Sequence, residues 1–247
     1  MKITQFTQQN LRNYQEDRAF VKQMNNGEAL LGMFDGHGGD WTSAFAAKHA
    51  PYIFKSIHKN LKATPELALQ YLFQRLADKT QFYYAGSTAC VVWVKKDIAY
   101  VATLGDSLAI IKTANDDIWI SPEHNVRTNT VEVDKAVSRG GVVSDGYLFD
   151  SKVFQGSGLQ MSRAFGDSNL SRVLDREPEI FSIPINEKSW ILICTDGLID
   201  PTHASTACLD VMVDMIKNPK VTAENLVEMG ATFQRDDNST AILARIE

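Results

Sequence analysis

Residues Gly86 to Lys112 read GSTACVVWVKKDIAYVATLGDSLAIIK. Thr88 to Val94 is an apolar run rich in β-branched residues, Lys95-Lys96-Asp97 interrupts it, and Ile98 to Thr103 resumes it. Gly105-Asp106-Ser107 precedes Leu108 to Lys112, and Thr113 to Asp117 turns the chain into Ile118-Trp119-Ile120. Runs of this length and composition, bounded by Gly, Asp and Asn, read as strands. Their connections are long enough for antiparallel neighbours but too short for a parallel crossover, which needs a dozen or more residues. The stretch predicts an antiparallel core.

Upstream, Asp17 to Met24 and Ala29 to Phe34 are two further strand candidates. Asn25-Asn26-Gly27-Glu28 joins them, and Asn-Gly is a strong hairpin signal. A helix is expected from about Trp41, kinked or divided at Pro51. Thr64 is suited to cap a second helix, with Pro65 in its first position and Leu69, Leu72, Phe73 and Leu76 forming an apolar stripe. Near the C-terminus, one helical pattern carries Leu209, Met212, Val213 and Ile216. Another, capped by Thr222, carries Leu226, Met229, Gly230 and Phe233, and a strand-like run from Ser239 to Arg245 follows. Strand clusters flanked by amphipathic helices predict an α+β fold with helices outside an antiparallel core. Between about 123 and 178 the pattern is weak and glycine-rich, which reads either as a flap over a site or as a plain surface loop.

The chain has 247 residues, 44% of them apolar and 22% charged, which suits one large domain with a well-buried core. A net charge of −5 and the lack of a basic run weigh against nucleic acid and anionic lipid as partners. No run is long enough to span a membrane, and Met1 to Gln5 lacks a signal-peptide core, so a cytoplasmic monomer is expected. Cys90, Cys194 and Cys208 are odd in number and lack metal-site spacing, which reads as buried thiols in a reducing compartment.

The chemistry lies in acids placed where apolar runs meet turns. Asp35 follows Ala29 to Phe34 and opens Asp35-Gly36-His37-Gly38-Gly39. Asp196 follows Trp190 to Thr195, Asp237-Asn238 precedes the last strand, and Glu16-Asp17 and Asp106 occupy similar positions. A hard divalent cation needs several oxygen ligands, and a sheet can bring strand ends from distant parts of the chain together to supply them. Gly36 leaves its backbone carbonyl open to such an ion. His37 suits proton transfer near neutral pH, although direct metal ligation or a surface role is also open to it. Arg12 can hold two phosphoryl oxygens.

Taken in order, Arg12-xxx-Glu16-Asp17, Asp35-Gly36-His37-Gly38-Gly39, Gly86-Ser87-Thr88-Ala89, Gly105-Asp106-Ser107, Ser162-Arg163-Ala164-Phe165-Gly166-Asp167, Thr195-Asp196-Gly197-Leu198 and Asp237-Asn238 resemble the motifs of metal-dependent protein phosphatases of the 2C type. The resemblance implies a four-layered α-β-β-α sandwich and hydrolysis of phosphoserine and phosphothreonine by water held between two divalent cations. Manganese or magnesium would serve, two per chain. Asp35 then corresponds to the carboxylate bridging both ions, Asp196 and Asp237 to ligands of one, and the Gly36 carbonyl to a ligand of the other. Glu16 and Asp17 correspond to an acidic pair holding metal-bound water, Arg12 to the phosphate-binding arginine, and His37 to the general acid. Asp106 and Asp200 correspond to a third, weaker metal site. Arg163 and the glycine-rich residues before it fall in the family's variable flap, and Glu123-His124 stands where the family often has Asp-His. Two rivals stay open: an inactive relative acting as a binding module, and another metallohydrolase, for instance a nuclease or a nucleotide phosphatase, using a similar acidic cluster.

Overall fold

The computed structural model describes residues 1–60, 63–152, 158–199, 207–233 and 235–247. The first part of the chain forms β1 (Lys2–Gln8), β2 (Arg18–Gln23), β3 (Ala29–Phe34), β4 (Gly36–His37), α1 (Trp41–Asn60), α2 (Pro65–Thr80) and β5 (Gly86–Ser87). The middle forms β6 (Ala89–Lys95), β7 (Ile98–Leu104), β8 (Leu108–Lys112), β9 (Ile118–Ile120), α3 (Thr130–Ser138), β10 (Gly141–Ser144) and β11 (Tyr147–Asp150). The last part forms β12 (Glu179–Pro184), β13 (Trp190–Cys194), α4 (Asp196–Ile199), α5 (Ala207–Ile216), α6 (Ala223–Phe233) and β14 (Ser239–Arg245).

Two five-stranded antiparallel sheets result, in the orders β1-β14-β13-β8-β9 and β12-β7-β6-β3-β2. Successive side chains of a strand point to opposite faces, so burial on both faces gives an unbroken apolar run. β3 illustrates this: Leu30 and Phe34 pack beneath α1 and α2, while Ala29, Leu31 and Met33 face the other sheet. In β6, Val91 and Trp93 lie on the helix side and Cys90, Val92 and Val94 between the sheets. In the other sheet, Ile191 and Ile193 point inward, while Leu192 and Cys194 meet Met212, Ile216, Leu226 and Val227 of α5 and α6. The four layers are therefore α1/α2, sheet, sheet and α5/α6, the sandwich expected from the motifs.

The Asn-Gly turn behaves as expected. Asn26 and Gly27 both adopt left-handed φ, at 64° and 76°, and β2 and β3 pair antiparallel across them. Thr64 caps α2, its hydroxyl accepting from the Leu67 N–H.

Four details differ from expectation. Helix α1 is not divided at Pro51; it runs through the proline. The lost hydrogen bond and ring clash cost about 3 kcal/mol, and burial of Ala46, Ala50, Phe54 and Ile57 against β3 and α2 offsets it. Strand β1 was not anticipated; it pairs with β14 along its whole length, half-buried, so its apolar signal is diluted. Gly105-Asp106-Ser107 does not turn β7 back onto a neighbour in its own sheet but carries the chain across to the second sheet. The 123–178 segment is not patternless: α3 and the β10–β11 hairpin enclose a small core of Val126, Ala136, Leu148, Leu159, Met161 and Leu174. Among the described residues, no helix is long and apolar enough to cross a membrane. Cys90, Cys194 and Cys208 are buried, and burial pushes the Cys90 and Cys194 thiols up.

Candidate metal centre

In an antiparallel pair, the start of one strand lies beside the end of its neighbour. Asp17 precedes β2, Asp35 follows β3, Asp237 lies two residues ahead of β14, and Asp196 lies two residues beyond β13. Asp106 sits in the link between the sheets. All five acids gather at one end of the sandwich. A cleft of about 310 Å³ opens there, lined by Arg12, Glu16, Asp35, Gly36, His37, Asp106, Asp196 and Asp237, with Tyr147 and Gly158 to Met161 on its far wall.

Asp17 ties the sheets together. Its Oδ2 accepts from the hydroxyls of Thr195 (3.1 Å) and Thr240 (2.7 Å), both on the other sheet's side, while its buried Oδ1 has no partner. Burial first, then the charges of Asp196 and Asp237, push the Asp17 carboxyl up to about 7 against the pull of the two hydroxyls. Asp35, on the cleft floor, is pushed well above the carboxylate range by withdrawal from water and then by the charges of Asp17, Asp196, Asp237 and Asp106. Asp106 is pushed up to about 8 by burial and by Asp196, against a 3.0 Å hydrogen bond donated by Asn125 Nδ2. Glu16 Oε1 accepts from the Gly39 N–H at 2.6 Å, and the Glu16 N–H donates to Asn238 Oδ1 at 2.8 Å. A side chain at Gly36 would lie 2.6 Å from the Glu16 carbonyl oxygen and 2.7 Å from Ser43 Oγ, so only glycine fits there.

Like charges this close, with a buried carboxylate oxygen lacking any partner, make an all-oxygen donor set whose chemistry fits a hard divalent cation. Among the described residues, however, no three His, Cys, Asp or Glu side chains stand as a group that could hold an ion. Several of the carboxylate oxygens are engaged by other groups. Asp237 Oδ2 meets Arg12 Nη2 at 2.9 Å and its Oδ1 accepts from the Asn238 N–H at 2.7 Å, while Glu16 and Asp17 are engaged as above.

His37 Nε2 lies 2.8 Å from Asp167 Oδ2, and its buried Nδ1 has no partner. Burial acts to lower the imidazole pKa, but the charge and hydrogen bond of Asp167, then Asp106 and Glu16, outweigh it and raise the value. Arg12 is half-exposed and also donates from Nε to the Asp236 carbonyl at 2.6 Å. Every predicted site residue except Asp200 thus reaches this end of the fold; Asp200 lies outside the described residues. Arg163 is a structural tie, buried and clamped on Glu132 through Nε (2.9 Å) and Nη2 (2.7 Å).

Sequence reasoning assigned no role to Asp167, Thr195, Thr240, Asn125 or Asn238. Asp167, Thr195 and Asn238 lay inside quoted motifs, which was the available signal. Thr240 and Asn125 gave none, because their contacts come from segments distant in the chain.

A family described as protein phosphatase 2C matches residues 2–239. A rice protein named probable protein phosphatase 2C 55 is 30% identical over 95% of this chain and 63% of its own length. The chain spans about two thirds or less of the first curated relatives it matches. Among solved structures, a Toxoplasma gondii serine-threonine phosphatase 2C superposes with a TM-score of 0.77 at 22% identity, over 99% of this chain and 94% of that one. The catalytic domain of the phosphatase PstP, crystallised with two manganese ions, gives 0.66 at 16% identity, over 100% of this chain and 98% of that one.

Proposed function

The chain belongs to the protein phosphatase 2C family, and from that premise we propose that it hydrolyses phosphoserine and phosphothreonine in proteins with divalent cations as cofactors. The observation that carries this reading is the convergence of Asp35, Asp106, Asp196 and Asp237 beside Arg12 and His37 in one cleft, with the buried Asp17 carboxyl close enough to feel the charges of Asp196 and Asp237. Asp35, Asp196, Asp237 and the Gly36 carbonyl would hold the ions, with Glu16 and Asp17 behind them and Asp106 at a third site. The manganese pair of the PstP structure supports manganese or magnesium, two per chain. Bound cations supply the Lewis acidity that makes water a competent nucleophile near neutral pH.

The protein's own groups do the rest. Arg12, half-exposed at the cleft mouth, can exchange its contact with Asp237 for a phosphoryl group and offer parallel N–H donors to two of its oxygens. As the P–O bond to the serine or threonine oxygen breaks, a proton carried on His37 Nδ1 passes to that oxygen. The oxygen of water forms the new P–O bond, and the proton it sheds restores the imidazolium. Such proton transfer contributes about 10² to 10⁴ in rate.

The direct test is manganese-dependent release of phosphate from a phosphothreonine peptide, with and without chelator. Asp35→Asn, Asp196→Asn and Asp237→Asn are each expected to lower that rate more than about 100-fold while leaving the circular dichroism spectrum unchanged. Full turnover in any of them, or turnover indifferent to chelator, would remove the proposal.

A further inference from the structure

His37 is joined to a carboxylate 130 residues away along the chain, and several independent features hold the pair in place. β4 and β5 pair so that His37 lies opposite Gly86. A Cβ on Gly86 would lie 2.1 Å from both His37 Nε2 and Asp167 Oδ2, so the absence of a side chain there lets the two groups meet. Gly166 takes φ of 72°, where a Cβ would strike the Ala85 carbonyl oxygen at 2.1 Å. Asp167 itself takes φ 47° and ψ 53°, a left-handed conformation that costs a non-glycine residue about 1–2 kcal/mol.

Backbone hydrogen bonds anchor this turn on both sides: Ser87 and Phe165 exchange both bonds, at 3.0 and 2.8 Å, and the Ser168 N–H donates to the Tyr83 carbonyl at 3.0 Å. Arg176 Nη2 donates to the Gly166 carbonyl at 2.5 Å. A strained residue held this firmly, with its carboxylate on a histidine that lines the cleft, points to more than a surface ion pair.

We propose that Asp167 is a positioning residue for His37: its carboxylate accepts the Nε2–H, fixing the ring's orientation and tautomer and leaving Nδ1 as the nitrogen that exchanges a proton in the cleft. This rests on the phosphatase reading above for its catalytic meaning, but not for the pairing itself. The alternative is a purely structural contact that staples the turn at 166–167 to the β4–β5 pair.

The experiment compares Asp167→Asn, Gly86→Ala, His37→Ala and the double variant D167N/H37A on a phosphothreonine peptide and on p-nitrophenyl phosphate, whose leaving group needs no proton. Asp167→Asn keeps a residue type that tolerates the left-handed backbone. It is expected to lower kcat on the peptide by about 10- to 100-fold, with KM within about twofold and the aryl phosphate slowed less than about threefold. Gly86→Ala is expected to give the same split, and the double variant to be no slower than His37→Ala. A structural staple predicts equal losses on both substrates and additive losses in the double variant; either result overturns the proposal.

A second measurement does not depend on turnover: the ¹⁵N resonances of the His37 ring, assigned by their loss in His37→Ala. Protonated Nε2 in the parent chain, with ring shifts displaced in Asp167→Asn and in Gly86→Ala, supports the pairing. Unchanged shifts overturn it. Should the parent chain release no phosphate at all, the activity reading fails while the ring resonances still decide whether Asp167 sets the tautomer.

Discussion

In the metal-free chain, Asp17→Asn is expected to stabilise the fold, and to do so only at neutral and alkaline pH. The Asp17 carboxyl moves from an ordinary 3.8 to about 7 on folding, first through burial and then through Asp196 and Asp237. A folded-state value above the unfolded one means that the native chain holds the proton more tightly. Stability is then complete below about pH 4 and is lost as the pH rises through about 7. At about 1.4 kcal/mol per tenfold change, the full difference is about 4 kcal/mol. Asn can keep the acceptor used by Thr195 and Thr240 and put an N–H where the unpartnered Oδ1 stands among carboxylates. Asp35 and Asp106 are also held above the usual carboxylate range and share the relief, so about 2–4 kcal/mol should be recovered by the single substitution. For a chain of 247 residues this is a rise of about 4–8 °C in Tm.

The assay is urea denaturation of parent and variant in chelator at about pH 4 and about pH 8.5, which bracket the window above. A clear gap at the higher pH that closes at the lower one is the expected result. Added manganese should then stabilise the parent more than the variant, because a ligand that binds only the native state adds RT ln(1 + [L]/Kd). A variant no more stable than the parent at about pH 8.5, or a gap that is the same at both pH values, would refute the reasoning.

Glu132 predicts the opposite slope. Buried at 1% exposure, it accepts from Ser162 Oγ (2.5 Å), Arg163 Nε (2.9 Å), Arg163 Nη2 (2.7 Å) and Lys135 Nζ (2.8 Å). Burial acts to raise its pKa, but these hydrogen bonds outweigh it and hold the carboxyl well below the usual range. Its contribution is therefore present above the ordinary value of 4.5 and is lost as the pH falls through the folded one. Glu132→Gln should cost about 3 kcal/mol at neutral pH and flatten the acid limb of a Tm-against-pH curve, which calorimetry would read. Arg12→Ala should raise KM for a phosphopeptide more than about tenfold while changing stability by less than about 1 kcal/mol, since its pair with Asp237 is half-exposed. Steady-state kinetics and a melting curve check the two halves separately.

The layers were legible because β3, β6 and β13 are buried on both faces, and such strands leave continuous apolar runs in the sequence. Strand β1 was not legible, since its alternating half-buried residues, Lys2 to Gln8, resemble any polar terminus. The small core under α3 and β10–β11 escaped notice because its apolar residues are spread singly between turns. Asp35, Asp196 and Asp237 could be picked out because each adjoins a strand and a turn. Asp167 could not be linked to His37, because the link runs through space, across a glycine whose role is to be small. The crossing at Gly105-Asp106-Ser107 was misread because a three-residue link has the same appearance whether it folds back or steps across.

That step has a further consequence. Asp17 and Asp35 hang from one slab, Asp196 and Asp237 from the other, and Asp106 from the hinge between them. A small sliding of one slab over the other would pull the acids out of alignment long before the interior became wet. Loss of catalytic power should therefore precede bulk melting, making turnover a finer gauge of how the two slabs are seated than any spectroscopic signal of unfolding.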